Sequence, residues 1–148
     1  MKLSTRGRYS TRALLDLALN QGKGPVTLED IAQRQQISLQ YLAHLMMPLI
    51  AKGIVRSTRG PRGGVTLAKA AEEIKLSEVI QLVEGSIAPT ECIDNPEVCS
   101  RSSSCVTRDV WGELKKAMDG VLESITLQDL VERHNKKKEK PELAMYYI

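Results

Sequence analysis

Cys92, Cys99 and Cys105 are the only cysteines in this chain of 148 residues, and they fall within fourteen positions as C-x6-C-x5-C. The residues around them are rich in Ser, Asp, Glu and Pro. Thiols on such a polar segment are poor core residues. As thiolates they are soft ligands suited to an iron–sulfur cluster or zinc. As free thiols they suit redox sensing. Structural zinc usually takes four protein ligands, and no fourth is evident, which weighs against a closed zinc site. An odd cysteine count also argues against a secreted disulfide framework.

A second group of residues suits nucleic acid. Gln40 can pair bidentately with adenine, and His44, one helical turn on, can donate to guanine or to a phosphate. Ser38 precedes them and, with the free N–H groups of a helix N-terminus, can hold a phosphate. Arg59 and Arg62 sit on a glycine-rich tip, Arg59-Gly60-Pro61-Arg62-Gly63-Gly64, thin enough to approach a minor groove. Arg6, Arg8 and Arg12 are further candidates for phosphate contacts, each as readily a plain surface charge. Gln33, Arg34, Gln35 and Gln36 read as a solvated face. The charge distribution agrees. Residues 1–69 carry 11 Lys/Arg against 3 Asp/Glu, whereas residues 70–148 carry 10 against 15. Only the first half is expected to meet a polyanion.

These residues need elements to hold them. Ala13, Leu14, Leu17 and Ala18 predict a helix over 8–20. Thr27 caps a short helix over 28–35, and Gln36-Ile37 turns the chain. Ser38 caps the next helix, which buries Tyr41, Leu42 and Leu45, turns Leu39, Gln40, Ala43 and His44 outward, and is expected to end or kink at Pro48. Ile54–Thr58 and Val65–Leu67 read as two strands of a hairpin. Ser77 is the expected cap of a helix over 78–84 that Gly85 ends, and the cysteine segment over 86–104 reads as a loop. A long helix from Cys105 to Ser124 carries Val106, Val110, Leu114, Ala117, Val121 and Ile125 on one stripe, widened by Trp111, Met118 and Leu122. A winged domain of about 70 residues cannot cover so wide a stripe, so a second copy must. Thr126 caps a last helix to about 138, and the Lys-rich stretch from 136 reads as a solvated, partly disordered tail.

The fold expected is mainly α: a winged helix-turn-helix with a small β-hairpin wing and a long dimerisation helix. Residues 1–70 would form the DNA-binding domain, 71–135 the sensor loop and dimerisation helices, and 136–148 a basic tail. Phe is absent and Trp111 is the single Trp, so the core must be mainly aliphatic. No apolar run approaches a membrane span, and the N-terminus lacks the apolar stretch of a secretory signal. A cytoplasmic location is expected, with no membrane partner.

Leu3-Ser4-Thr5-Arg6-Gly7-Arg8-Tyr9, Ile37-Ser38-Leu39-Gln40-Tyr41-Leu42, the arginine-glycine tip, the three cysteines, Trp111 and Ser124-Ile125-Thr126-Leu127 together resemble the iron–sulfur cluster regulator (IscR-like) family of dimeric winged helix-turn-helix transcriptional regulators. The resemblance spans residues 1 to about 135. It implies a homodimer on a double-stranded DNA operator. It also implies a [2Fe–2S] or [4Fe–4S] cluster on Cys92, Cys99 and Cys105. Members with a cluster carry His three residues after the third cysteine as fourth ligand; here that position is Arg108, which cannot ligate at neutral pH. Nitric-oxide-sensing relatives use an acidic residue near the start of the first helix, where this chain has Arg8. The Cys92–Cys99 gap is one residue longer than the nearest pattern, and Ala43 stands where the best-known member is acidic. Glu91, Asp94, Glu97, Asp109, a partner-subunit residue or an exogenous ligand are left for the fourth place.

The function expected is a transcriptional regulator, a repressor by preference, whose cluster senses iron–sulfur, iron, oxygen or nitric oxide status. The alternative is a cluster-free repressor of sulfur metabolism, controlled by thiol redox chemistry or a protein partner. An enzyme is not expected: the two histidines, His44 and His134, are far apart in sequence, and no Ser-His-Asp order, P-loop or dinucleotide fingerprint occurs.

Overall fold

Ser4 decides where the first helix begins. In the computed structural model, which describes residues 2–139, its hydroxyl accepts from the Gly7 N–H at 3.3 Å. Helix α1 therefore runs Thr5–Leu19, starting three residues before the expected position. Glu84 reinforces this end from across the fold. Its Oε1 accepts from the backbone N–H of Ser4 at 2.9 Å and of Gly7 at 3.1 Å, and also from the Ser4 hydroxyl. A Cβ on Gly7 would collide with that carboxylate.

Helix α2 (Leu28–Gln35) is capped by Thr27, which accepts from the Asp30 N–H at 3.2 Å, with Glu29 and Asp30 in its first turn. Such carboxylates suit the positive end of a helix. Gln36 ends it in the left-handed region, at φ 54°, and makes the tight turn expected of Gln36-Ile37. Helix α3 (Leu39–Ala51) follows, capped by Ser38 on the Tyr41 N–H at 3.2 Å. Pro48 does not end it. Proline removes one donor near the last turn, and fully buried Leu49, with Leu45 and Met46, anchors the helix on both sides of it.

Strands β1 (Val55–Thr58) and β2 (Gly64–Leu67) pair antiparallel, with Val55 opposite Leu67 and Thr58 opposite Gly64. The hairpin is stitched to the α1–α2 connection by two bonds: the Val26 N–H to the Val65 carbonyl at 2.9 Å, and the reverse at 2.8 Å. Here the glycines are required. A Cβ on Gly64 would strike the Val26 carbonyl, and one on Gly63 the Thr58 carbonyl.

A 3-10 turn at Ala71–Glu73 leads to α4 (Leu76–Glu84). Ser77 is not its cap. The helix begins at Leu76, two residues before the expected start, and its N-cap Lys75 makes no side-chain cap. The linker before the last helix does this work instead: the Leu76 N–H bonds the Ile125 carbonyl at 2.9 Å, and the Leu127 N–H bonds the Ile74 carbonyl at 2.8 Å. The Ser77 hydroxyl donates to Glu123 at 2.6 Å. Gly85 ends α4 at φ 74°. The cysteine segment is not a plain loop, because it folds into the short helix α5 (Glu91–Asp94) and a 3-10 turn, Pro96–Val98. Helix α6 (Val106–Ser124) has 19 residues, about 29 Å at 1.5 Å each. Helix α7 (Leu127–Lys138) opens on a Thr126–Asp129 capping box. It ends at Lys138, as expected, and Lys136, Lys137 and Lys138, at the start of the solvated Lys-rich stretch, form its last turn, where cations offset the helix dipole. Residues 140–148 of that expected tail lie outside the described residues.

The core is aliphatic, as expected. Leu14, Ile31, Leu42, Met46, Leu49 and Ile54 are buried around α1. Ala71, Ile74, Val79 and Leu127 belong to the same cluster, so the packing runs across residue 70. Helix α1 touches α2, α3, α4, α7 and β2, whereas α6 rests on α4 and α5 and buries none of its residues.

Candidate functional site

One charged contact ties α2, the first helix of the helix-turn-helix, to α1. Asp16 faces the interior of α1, only 3% exposed. Arg34 of α2 grips it bidentately, Nε to Oδ2 at 2.9 Å and Nη2 to Oδ1 at 2.6 Å, and the Gln35 amide donates to Oδ2 at 3.0 Å. Burial pushes the Asp16 carboxyl up, but the bonds from Arg34 and Gln35 and the Arg34 charge outweigh it, and the net direction is down. Arg34 and Gln35 are thus not a solvated face. A buried carboxylate needs a fixed counter-charge, and α2 supplies it. Arg12 is likewise engaged in the fold. It donates to the Gln35 backbone carbonyl and lies 5.3 Å from the Tyr9 ring. Arg6 donates to the Val83 carbonyl at 3.3 Å. Arg8 is exposed, within 3.3 Å of the Thr5 hydroxyl.

With α1 and α2 locked, α3 presents its outer face. Gln40 and His44 are both exposed and lie one turn apart, as the spacing predicted, beside exposed Leu39 and half-buried Ala43. The Ser38 hydroxyl is occupied by its cap. Met47, 64% exposed, and Ile50 continue the outer surface. Sequence reasoning missed both, although i+7 from Gln40 places Met47 on the same side. Arg59 and Arg62 are exposed at the hairpin tip. Exposed Arg56, opposite Thr66 on β1, adds a third wing cation that the strand's alternation could have revealed.

The thiols sit on the other side of Gly85 in the sequence. Cys92 is half-buried on α5, its Sγ 3.2 Å from the Thr90 hydroxyl. Cys99 is exposed after the 3-10 turn. Cys105 stands at the N-cap of α6, its Sγ 3.2 Å from the Thr107 hydroxyl. That hydroxyl, with help from the N–H groups of Arg108 and Thr107, draws the Cys105 thiol below its ordinary value, against the opposing charge of Asp109. The N–H groups lie near enough to favour a thiolate without completing a capping bond. Arg108 donates from Nε to the Cys92 carbonyl at 2.9 Å, tying α5 to α6. With Cys99, Pro96 and Ser102 it borders an open cavity of about 310 Å³.

Three thiols on one segment, one of them biased towards the thiolate, have the donor chemistry an iron–sulfur cluster needs. Among the described residues no three metal-binding side chains converge. Loading would therefore require the segment to fold inward around the group.

Helix α6 leaves an apolar surface uncovered. Val106 is 76% exposed, Val121 57% and Val110 52%, with Trp111 beside them. Leu3, Ile87, Ala117, Met118, Val121 and Leu122 line an open apolar hollow of about 330 Å³ at its C-terminal half.

The Rrf2 family model, described as an iron-dependent transcriptional regulator, matches residues 3–133. The chain is 44% identical over 131 residues to the HTH-type transcriptional regulator IscR of Photorhabdus laumondii subsp. laumondii, covering 88% of this chain and 79% of that one. Its fold is similar to the T. potens IscR structure, with TM-score 0.77 and 37% identity over 99% of this chain and 97% of the other. It is as similar to CymR, the global cysteine regulator of B. subtilis, with TM-score 0.77 and 34% identity over 90% and 98%.

Proposed function

The chain belongs to the Rrf2 family of transcriptional regulators, and from that premise we propose that it is a homodimeric repressor whose operator affinity follows an iron–sulfur cluster held by Cys92, Cys99 and Cys105. The observation that carries this reading is the pairing of a DNA-facing helix and wing with three thiols on one segment. Residues 1–70 read DNA: Gln40 and His44 address base edges, Ser38 and the start of α3 lie against a phosphate, and Arg59 and Arg62 enter the minor groove. Residues 71–135 sense and pair, and the exposed stripe of α6 packs against its copy. The protein acts in the cytoplasm, where its operator is.

A bound cluster would supply a redox- and iron-sensitive centre. The chain's own residues prepare for it. Cys105 offers a thiolate at a helix N-terminus, Cys92 lies on α5 and Cys99 just after the 3-10 turn, and Arg108 braces α5 on α6. Arg108 leaves the fourth ligand to Glu91, Asp94, Glu97, Asp109, a partner residue or an exogenous group. A replaceable fourth ligand makes a labile cluster, which suits sensing.

One observation favours a second reading, a cluster-free repressor of sulfur metabolism worked by thiol oxidation or a protein partner. It is the equal likeness to CymR, with Arg108 where the ligating histidine of cluster-bearing relatives stands. Anaerobic purification followed by iron and sulfide determination separates the two. Visible absorbance with stoichiometric iron and sulfide supports the cluster. Protein that stays colourless after anaerobic reconstitution overturns it in favour of the second reading.

A further inference from the structure

The outer face of α3 carries more than polar base readers. Leu39, its first residue, is 43% exposed. Ala43 lies at i+4, so the two side chains stack along one line of the helix. Gln40 and His44 form the neighbouring line, and both are exposed. An apolar strip thus runs edge to edge with a polar one.

Among the described residues, Leu39 belongs neither to the core cluster nor to the side chains packed against it. The buried face of α3 is made by Leu42, Leu45, Met46 and Leu49, and the Ser38 cap is formed by a hydroxyl and a backbone N–H that do not involve the leucine side chain. The N-terminal residues of a recognition helix are those that reach base edges. The one apolar group that base pairs display in the major groove is the C5-methyl of thymine. The strip continues at i+4 into exposed Met47, is bordered on one side by Gln40 and His44, and is followed in the chain by exposed Arg56, Arg59 and Arg62. Such surroundings suit DNA better than an apolar protein partner.

We propose that Leu39, backed by Ala43, reads a thymine C5-methyl beside the base pair addressed by Gln40, and so is a specificity-determining residue. Each half-site then carries a thymine at that step. The inference rests on α3 being the DNA-facing helix, as proposed above, and adds a base identity to it.

The test uses the full chain and a duplex selected by it from a random library. Each thymine is replaced in turn by deoxyuridine, which removes only the methyl. One position per half-site should lose affinity about fourfold, the factor given by one methyl worth about 0.8 kcal/mol. Leu39→Ala should bind the thymine duplex several-fold more weakly, no longer distinguish thymine from uracil there, and keep the wild-type salt slope, since phosphate contacts are untouched. Indifference of the wild type to uracil at every position overturns the proposal. So does a selected operator without thymine, or a Leu39→Ala variant that keeps the full methyl effect. All three leave sequence-selective binding intact, which distinguishes them from loss of selective binding altogether, the result that would remove the DNA-facing role of α3 itself.

Discussion

Replacing Asp16 by Asn tests the contact that sets α2 against α1. The amide keeps the shape but removes the charge that Arg34 grips at 2.6 and 2.9 Å, and turns a donor towards a donor. Hydrogen bonds to a charged group are worth about 1.5–3 kcal/mol. The Arg34 side chain is 44% exposed against 4% for Asp16, so the released guanidinium regains water and the lower end applies. Asp16→Asn should therefore cost about 1.5 kcal/mol, or roughly 5 °C in Tm. The pH dependence gives a second check. The folded-state carboxyl lies below its ordinary value of 3.8. A depressed carboxyl stabilises fully above its unfolded value, and the contribution is lost as pH falls through the folded value. The gap between wild type and Asp16→Asn should thus be flat from neutral pH down to about pH 5 and close below about pH 4. Urea titrations at matched protein concentration measure it. A variant as stable as wild type at pH 7, or a gap that does not shrink as pH falls below about 4, would refute the clamp.

Other perturbations reach the remaining parts. Val121→Asp should split the proposed dimer, seen as a monomer at micromolar concentration by sedimentation, and weaken operator binding without altering the DNA-facing surface. Arg59→Ala should weaken binding most at narrow, A·T-rich minor grooves, and operator affinity should fall steeply with salt in fluorescence titrations. Cys105→Ala should abolish the visible chromophore of reconstituted protein, while Arg108→His should slow its loss in air. Ser10→Ala should raise stability by about 1 kcal/mol in thermal melts, because the Ser10 hydroxyl is fully buried without a partner among the described residues.

The sequence made the reading half legible because its elements announce themselves locally. Ser38 and Thr27 cap the helices they precede, glycines mark the hairpin, and one period of apolar residues defines each buried face. Several departures came from contacts distant in sequence, the others from elements too short or too well anchored for local signals to decide. Ser77 resembles a cap, but a linker about fifty residues away satisfies the start of α4. Arg34 resembles a surface charge until Asp16 is seen to be buried. Pro48 resembles a stop until Leu49 is seen locked in the core. The cysteine segment hid its short helix because four residues, Glu91–Asp94, carry too little periodicity to read. Arg108 was legible as a departure from the family pattern, but its bond to the Cys92 carbonyl was not.

The contact between Glu84 and the start of α1 constrains how such a sequence can drift. Gly7 has no room for a methyl because the carboxylate fills it, and the carboxylate has three donors there to satisfy. Alanine at position 7 is therefore compatible only with a shorter or displaced side chain at position 84, and a shorter residue at 84 removes the acceptor shared by the Ser4 amide, the Ser4 hydroxyl and the Gly7 amide, leaving the last with its Ser4 cap alone. Neither position can change alone and keep all three bonds. Across homologous sequences the two should substitute together, a covarying pair separated by nearly eighty residues that joins the segment before the thiols to the first turn of the DNA-reading half.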